Sequence, residues 1–246
     1  MSVTGLVTAL RAEAGCVVSS RISFNEQVSV NETVVLWLSG MGEQAARTAA
    51  EGLHKGGATA LVSFGVAGAL DPQLKPGDLI LPDSIHHAGK VWPVTIAWRD
   101  RLKNLLPAHS MIVGGALASS LVPLTSEKEK RDLAQVTGAC AVDMESGAIA
   151  EVAAAAEIPF IAVRAIIDPI HFSPPAALLG AVYPDGGVNP MRLMALLLKR
   201  SVHISTLMHM GAGMRAARKT LSHVIQSAGA GLGNQAMDRQ AVDPSA

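Results

Sequence analysis

Aromatic side chains are scarce in this chain: three tryptophans, one tyrosine and four phenylalanines, 3% of 246 residues. Apolar residues still make up 49%, so the core has to be aliphatic, built from Ala, Val, Leu and Ile. Charge of one sign is also missing. Twenty basic and twenty acidic side chains cancel, which leaves no electrostatic footprint for nucleic acid. Cys16 and Cys140 are the only cysteines and share no ligand-like spacing. That argues against a disulfide framework or a zinc site and fits a reducing compartment. No basic leader with a cleavage site opens the sequence. The longest uncharged stretch, residues 104–126, holds two prolines, a histidine and several serines; it reads as strand and loop rather than a membrane span. A cytoplasmic protein is expected.

A chain of this length buries roughly 70–75% of its unfolded surface as one domain. Strand-like runs alternate with helical patterns, the mark of an α/β fold with a largely parallel sheet. The first strand is expected at residues 5–10 and a clear one at 33–38, closed by Ser39-Gly40-Met41-Gly42. A helix follows over about 43–55, stopped by Gly56-Gly57. Residues 60–64 form a buried strand leading into a small-residue loop, Gly65-Val66-Ala67-Gly68-Ala69, and residues 78–81 a shorter strand. Ser126 and Glu129 form a capping box that opens a helix to about Thr137. A further helix spans about 145–157, and Asn189-Pro190 starts another. Residues 1–226 make the single domain; the Gly-, Ala- and Ser-rich tail from Ser227 to residue 246 is expected to be disordered.

Two acidic stations carry the chemistry. Asp143-Met144-Glu145 and Asp168 each end a strand-like run, with an alanine-rich helix between them. In an open α/β sheet, ligands bind beyond the carboxyl ends of the strands. Partial burial there raises a carboxyl pKa towards proton-transfer range. The bland alternatives are a helix-start glutamate for Glu145 and a turn-forming aspartate before Pro169. Gly40-x-Gly42-x-x-Ala45 follows a strand and opens a helix, so it fits an anion loop or the dinucleotide fingerprint. The dinucleotide reading wants an acid after the next strand, and Ser63-Phe64-Gly65 offers none. His86-His87 lack further ligands at metal-binding spacing. Arg164, inside an apolar strand, reads as the anchor of a buried salt bridge.

These pieces, in this order, resemble the purine nucleoside phosphorylase and methylthioadenosine/S-adenosylhomocysteine nucleosidase superfamily. The likeness runs through Ala9-Leu10-Arg11-Ala12-Glu13, Ser39 to Gly42, Gly65 to Leu70 and Leu74-Lys75-Pro76-Gly77-Asp78-Leu79. Its most diagnostic parts are Asp143-Met144-Glu145-Ser146-Gly147-Ala148 and Val163-Arg164-Ala165-Ile166-Ile167-Asp168. Length and the carboxyl segment from Ser173 to Arg200 look most like the hopanoid-associated phosphorylases. The resemblance implies a three-layer α/β/α fold around a mixed, largely parallel sheet, and cleavage of an adenine N-ribosidic bond. Asp168 then matches the acid near purine N7, Glu145 the glutamate that holds the ribose hydroxyls, and Met144 the residue against the sugar face. Gly40 and Gly42 match the loop near the nucleophile, Ala67 and Gly68 the backbone near the base, and Glu13 the carboxylate that activates water.

Adenosylhopane is the substrate this likeness favours, with methylthioadenosine or S-adenosylhomocysteine hydrolysis, or a non-catalytic binding member, as alternatives. No cofactor or metal is implied; inorganic phosphate is a candidate co-substrate, and a homo-oligomer is expected. Ser63 and Val66 stand where the phosphorylases place an arginine and a serine for phosphate, so another cation such as Arg21 or Arg47 would have to serve. Ile167 replaces the serine usual before the catalytic aspartate, and Pro169 follows it. The Met- and Leu-rich stretch 191–214 is read as core, subunit interface or a lipid-contacting surface for transient membrane contact.

Overall fold

The structure, a computed structural model, describes residues 2–20, 22–108, 111–173 and 203–234, with isolated positions between 175 and 199. Among the described residues eleven strands form one sheet: β1 (Thr4–Thr8), β2 (Glu26–Asn31), β3 (Val34–Leu38), β4 (Ala60–Ala69), β5 (Leu79–Ile80), β6 (Ser84–His87), β7 (Lys90–Pro93), β8 (Ile112–Val113), β9 (Ala116–Ser119), β10 (Ala141–Asp143) and β11 (Phe160–Asp168). The described helices are α1 (Arg11–Ala14), α2 (Glu43–Lys55), α3 (Ile96–Leu105), α4 (Glu127–Thr137), α5 (Ser146–Ala155) and α6 (Ile204–Ala228).

Strands β3, β1, β4 and β11 are mutually parallel. Strands β10, β9 and β6 form a second parallel group. The two groups meet where β10 runs antiparallel to the end of β4, pairing Val142 with Gly68. The sheet is therefore mixed and largely parallel, as expected. Helices α2 and α5 pack on one face with Val7, Leu61, Ala162 and Ile166. Residues from α1, α3 and α6 pack on the other with Leu6, Val62, Phe64 and Val163. Three layers result, and the aliphatic core follows from the composition.

Local rules explain the helices. On α2 the buried residues Ala46, Ala49, Ala50 and Leu53 recur at helical spacing. Helix α4 carries the expected capping box, Ser126 with Glu129, and stops at Gly138 in the left-handed conformation (φ 66°). Helix α5 starts at Ser146, with Glu145 as its N-cap residue and thus just outside the helix. Asn189-Pro190 lies outside the described residues.

Three expectations change. Residues 65–69 are not a loop: they continue β4, which needs small residues because side chains from β11 and α1 press on its backbone. Strand β2 was not anticipated. Its polar Glu26–Asn31 sequence hides an edge strand that pairs antiparallel with β3. Ser227 is still within α6, and the chain stays packed to Asn234. There the Trp98 indole donates to the Leu232 carbonyl at 2.8 Å and the Asn234 amide bonds Thr4 Oγ1 at 2.9 Å. Residues 235–246 lie outside the described set.

Helix α6 crosses β11 beside the acidic station at Asp168. A Cβ at Gly213 would overlap the Ile167 carbonyl oxygen and sit 3.1 Å from its carbon. Gly213→Ala should therefore lower stability by about 1–3 kcal/mol, the usual scale for overpacking. The readout is a reduced urea midpoint at unchanged m-value; a wild-type midpoint would show that α6 shifts without cost.

Candidate active site

Two chain segments bring three carboxylates to one guanidinium carried by a third. Glu13, fully buried, lies in the third position of α1. Its Oε2 accepts from the amides of Ala9 (2.9 Å) and Leu10 (2.8 Å), and its Oε1 from Val66 (2.8 Å). Asp143 ends β10 and Glu145 follows it; Glu145 Oε1 accepts from the Gly42 amide at 2.8 Å. Arg164 reaches them from β11. Its Nη2 lies 2.6 Å from Asp143 Oδ2, 2.6 Å from Ser63 Oγ and 3.9 Å from Glu145 Oε2. Nη1 donates to the Val66 carbonyl at 3.4 Å. The Ser146 hydroxyl donates to Asp143, and its amide lies 3.2 Å from the same carboxylate.

Gly65 makes this meeting possible. A Cβ there would lie 2.5 Å from Arg164 Nη1 and 2.7 Å from the Glu13 carboxyl carbon. The glycine in β4 is thus a matter of space, not of backbone freedom.

Burial of carboxylates around a single cation sets their acidity. Burial pushes the Glu13 carboxyl above the usual range, against the pull of Arg164 and three amide donors. For Glu145, burial raises the pKa to about 7, opposed by Arg164 and reinforced by Asp143. Glu13 and Asp143 both bear on Glu145, so its titration belongs to the cluster rather than to one residue.

Asp168 is held separately. The register of β11 against β4 slips between Ile166 and Asp168, a one-residue bulge that sets Asp168 opposite Gly68. Ile167 is the extra residue, so the departure from the family pattern at this position coincides with the device that aims the aspartate. A Cβ on Gly68 would stand 3.3 Å from Asp168 Oδ2. Lys130 of α4, buried, forms an ion pair with that oxygen and also bonds the carbonyls of Pro169 (3.0 Å) and Phe172 (2.8 Å). Burial raises the Asp168 pKa, and Lys130 opposes it.

Two adjoining cavities, each of about 150 Å³, connect these groups. One is lined by Glu13, Glu145, Met41, Val66 and Ala67; the other by Asp168, Lys130, Ser120 and Leu124. Gly68, Val142, Asp143 and Met144 line both. Among the described residues a larger cavity of about 580 Å³ lies between β5 and α6, with Lys219 and Asp78 in its wall. It shares no residue with the acidic pair, and the chemistry assigns the site to the smaller cavities.

The structure thus gathers Glu13, Ala67, Gly68, Met144, Glu145 and Asp168. Gly40 and Gly42 form the β3–α2 turn, both at positive φ, but neither lines the cavities, and the Gly42 amide is spent on Glu145. Arg47 pairs with Glu43 (2.9 Å) and with Glu151; Arg21 lies outside the described residues. His87 approaches Glu43 at 3.6 Å, and Glu151 is close by, yet both carboxylates are already bound by Arg47. Sequence reasoning missed Lys130. Its signal was present: Lys130, Leu133 and Ala134 share the face of α4 that packs inward.

Residues 19–177 match the family model of the phosphorylase superfamily, and the chain belongs to that superfamily. Methylthioadenosine/S-adenosylhomocysteine nucleosidases of Mycobacterium bovis and Mycobacterium tuberculosis are each 28% identical, over 55% of this chain and 69% of theirs. The fold is that of the Neisseria meningitidis methylthioadenosine/S-adenosylhomocysteine nucleosidase bound to methylthio-immucillin-A (TM-score 0.71, 16% identity, 96% of this chain and 100% of that one). Helicobacter pylori futalosine hydrolase is similar as well (TM-score 0.69, 17% identity, 92% and 96%).

The raised Glu145 pKa has a stability consequence. A carboxyl whose folded pKa exceeds its unfolded one contributes stability in full below the unfolded value, near 4.5, and loses it as pH rises through about 7. Glu145→Gln removes that loss. Its melting temperature should exceed wild type at pH 8 and approach it at pH 5; an equal difference at both pH values would contradict a perturbed carboxyl.

Proposed function

We propose that this enzyme hydrolyses the N-ribosidic bond of an adenine nucleoside, releasing adenine and a free ribosyl sugar. The observation that carries the reading is the joined pair of cavities: Glu13 and Glu145 in one, Asp168 in the other, with Gly68 and Met144 between. A nucleoside laid across them puts the sugar against Met144 and the base beside Asp168. As the C1′–N9 bond breaks, its electron pair moves to the base, and the Asp168 proton goes to N7. Ionised Glu145 accepts hydrogen bonds from the ribose hydroxyls and favours the positive charge that builds on the sugar. Water attacks C1′, and Glu13 takes its proton; a buried carboxylate of raised pKa suits that task.

Water is favoured over phosphate by charge. Glu13, Asp143 and Glu145 surround the one guanidinium of Arg164, which is already committed to Asp143 and Ser63. With Glu13 and Glu145 ionised, as the reaction requires of both, a phosphate dianion would meet net negative charge, and Ser63 and Val66 offer it no cation. The sugar cavity is otherwise apolar, with Leu10, Met41, Met144 and Ile167 in its wall, which suits an apolar group at the ribose 5′ position. The likeness to hopanoid-associated phosphorylases favours adenosylhopane there; the named nucleosidase relatives favour methylthioadenosine.

Adenine release from the two substrates, followed by chromatography, tests the reading. Wild type should release adenine from at least one, with the larger kcat/KM on adenosylhopane; no adenine from either would leave only a binding protein. Asp168→Asn should lower turnover by roughly 10²–10⁴-fold, the scale of general acid catalysis; unimpaired release by this variant contradicts the assignment of the acid. For wild type, kcat/KM should rise with pH through an acid limb near 7, the value to which burial raises Glu145. That limb should shift in Glu145→Gln, where Glu13 alone remains to be ionised and no longer faces the Glu145 charge.

A further inference from the structure

Helix α4 carries its charges in two ways. Lys128 with Asp132, and Arg131 with Glu127, form exposed pairs one turn apart. Lys130 instead points inward and is 2% exposed. Its ammonium has three donors, and three acceptors meet it: Asp168 Oδ2 and the carbonyls of Pro169 and Phe172. A cation is buried without waste only when its donors are satisfied and its charge is paired. Both conditions are met by the last residue of β11 and the segment that follows it, and by nothing on α4 itself.

We propose that Lys130 is a positioning residue for departure of the base: it clamps Oδ2 of Asp168 and the turn over residues 169–172, leaving Oδ1 to meet the purine. This rests on the assignment of Asp168 as the acid made above. The clamp also ties that turn to α4. Ser120, Val122, Pro123 and Leu124 line the same cavity as Lys130 and Asp168. Ile167 bulges β11 so that Asp168 faces Gly68, and Lys130 fixes the carboxylate in the rotation that the bulge leaves free. Among the described residues, the charged groups around Asp168 are Lys130 from α4 and, along the same cavity, Asp143 from β10. From α6, His209 reaches the turn only through the ring of Phe172, at 6.0 Å.

The test compares Lys130→Met, Lys130→Arg, Asp168→Asn and the Lys130→Met/Asp168→Asn double variant, using methylthioadenosine or adenosylhopane, whichever wild type cleaves. Lys130→Met should lower kcat by roughly 10–100-fold, the cost of a misplaced catalytic group, with KM changed far less. The alkaline limb of kcat should move to higher pH, because the carboxyl loses the cation that favours its ionised form. In the Asp168→Asn background, Lys130→Met should cost nothing further, the coupling expected of residues that act through one another. Lys130→Arg keeps the charge but presents a planar fork, so kcat should fall severalfold with the limb in place.

A folded Lys130→Met with an unmoved limb, or a loss that multiplies with that of Asp168→Asn, overturns the clamp. Should Lys130→Met fail to fold, a Lys130→Arg variant with wild-type kcat overturns it instead. Failure of the functional reading looks different: wild type would then release no adenine, or Asp168→Asn would be unimpaired.

Discussion

One buried guanidinium organises this molecule. Arg164 enters from β11 and meets Asp143 at the end of β10 and Glu145 just after it, Ser63 and Val66 on β4, and the field of Glu13 from α1. Each of those contacts fixes a chain segment. Asp143 in turn binds Ser146 and so seats the start of α5, while Glu145 binds Gly42 and seats the start of α2. Gly65 is the condition for all of it, since no side chain fits between Arg164 and Glu13. Truncating Arg164 would leave buried carboxylates without their cation, the situation in which breaking a buried pair is most destructive.

That same interaction sets the chemistry. A single cation among three carboxylates cannot hold all of them ionised in a dry site, so burial wins at Glu13 and Glu145, and both carboxyls rise. In the proposed reaction that cost in stability serves the chemistry: the raised Glu13 carboxylate takes a proton from water, and Glu145 accepts hydrogen bonds from the ribose hydroxyls. Asp168 is held apart from this cluster by its own cation, Lys130. In the proposed reaction, two carboxylate environments, one sharing Arg164 and one holding Lys130, would keep sugar activation and base protonation apart.

Much of this was legible in the sequence because strand ends and helix starts carry local marks. Asp143-Met144-Glu145 and Asp168 stood out as acids closing apolar runs, and the capping box at Ser126 and the stop at Gly56-Gly57 placed α4 and the end of α2. Arg164 was recognisable as a salt-bridge anchor because an apolar strand has no other use for a charge. What stayed hidden depends on contacts distant in sequence. Residues 65–69 look like a loop, since nothing local says that Glu13 and Arg164 will lean on Gly65. The bulge at Ile167 is a register relation between β11 and β4. Lys130 sits in a highly charged helix, Glu127 to Thr137, where one inward lysine is masked by its solvated neighbours.

The central claim is that the carboxylate cluster on Arg164 makes water the nucleophile. Mass spectrometry of the sugar formed in millimolar inorganic phosphate tests it most directly. The account predicts the free sugar alone, produced at the same rate when phosphate is left out. A sugar 1-phosphate, formed only when phosphate is present, would contradict it.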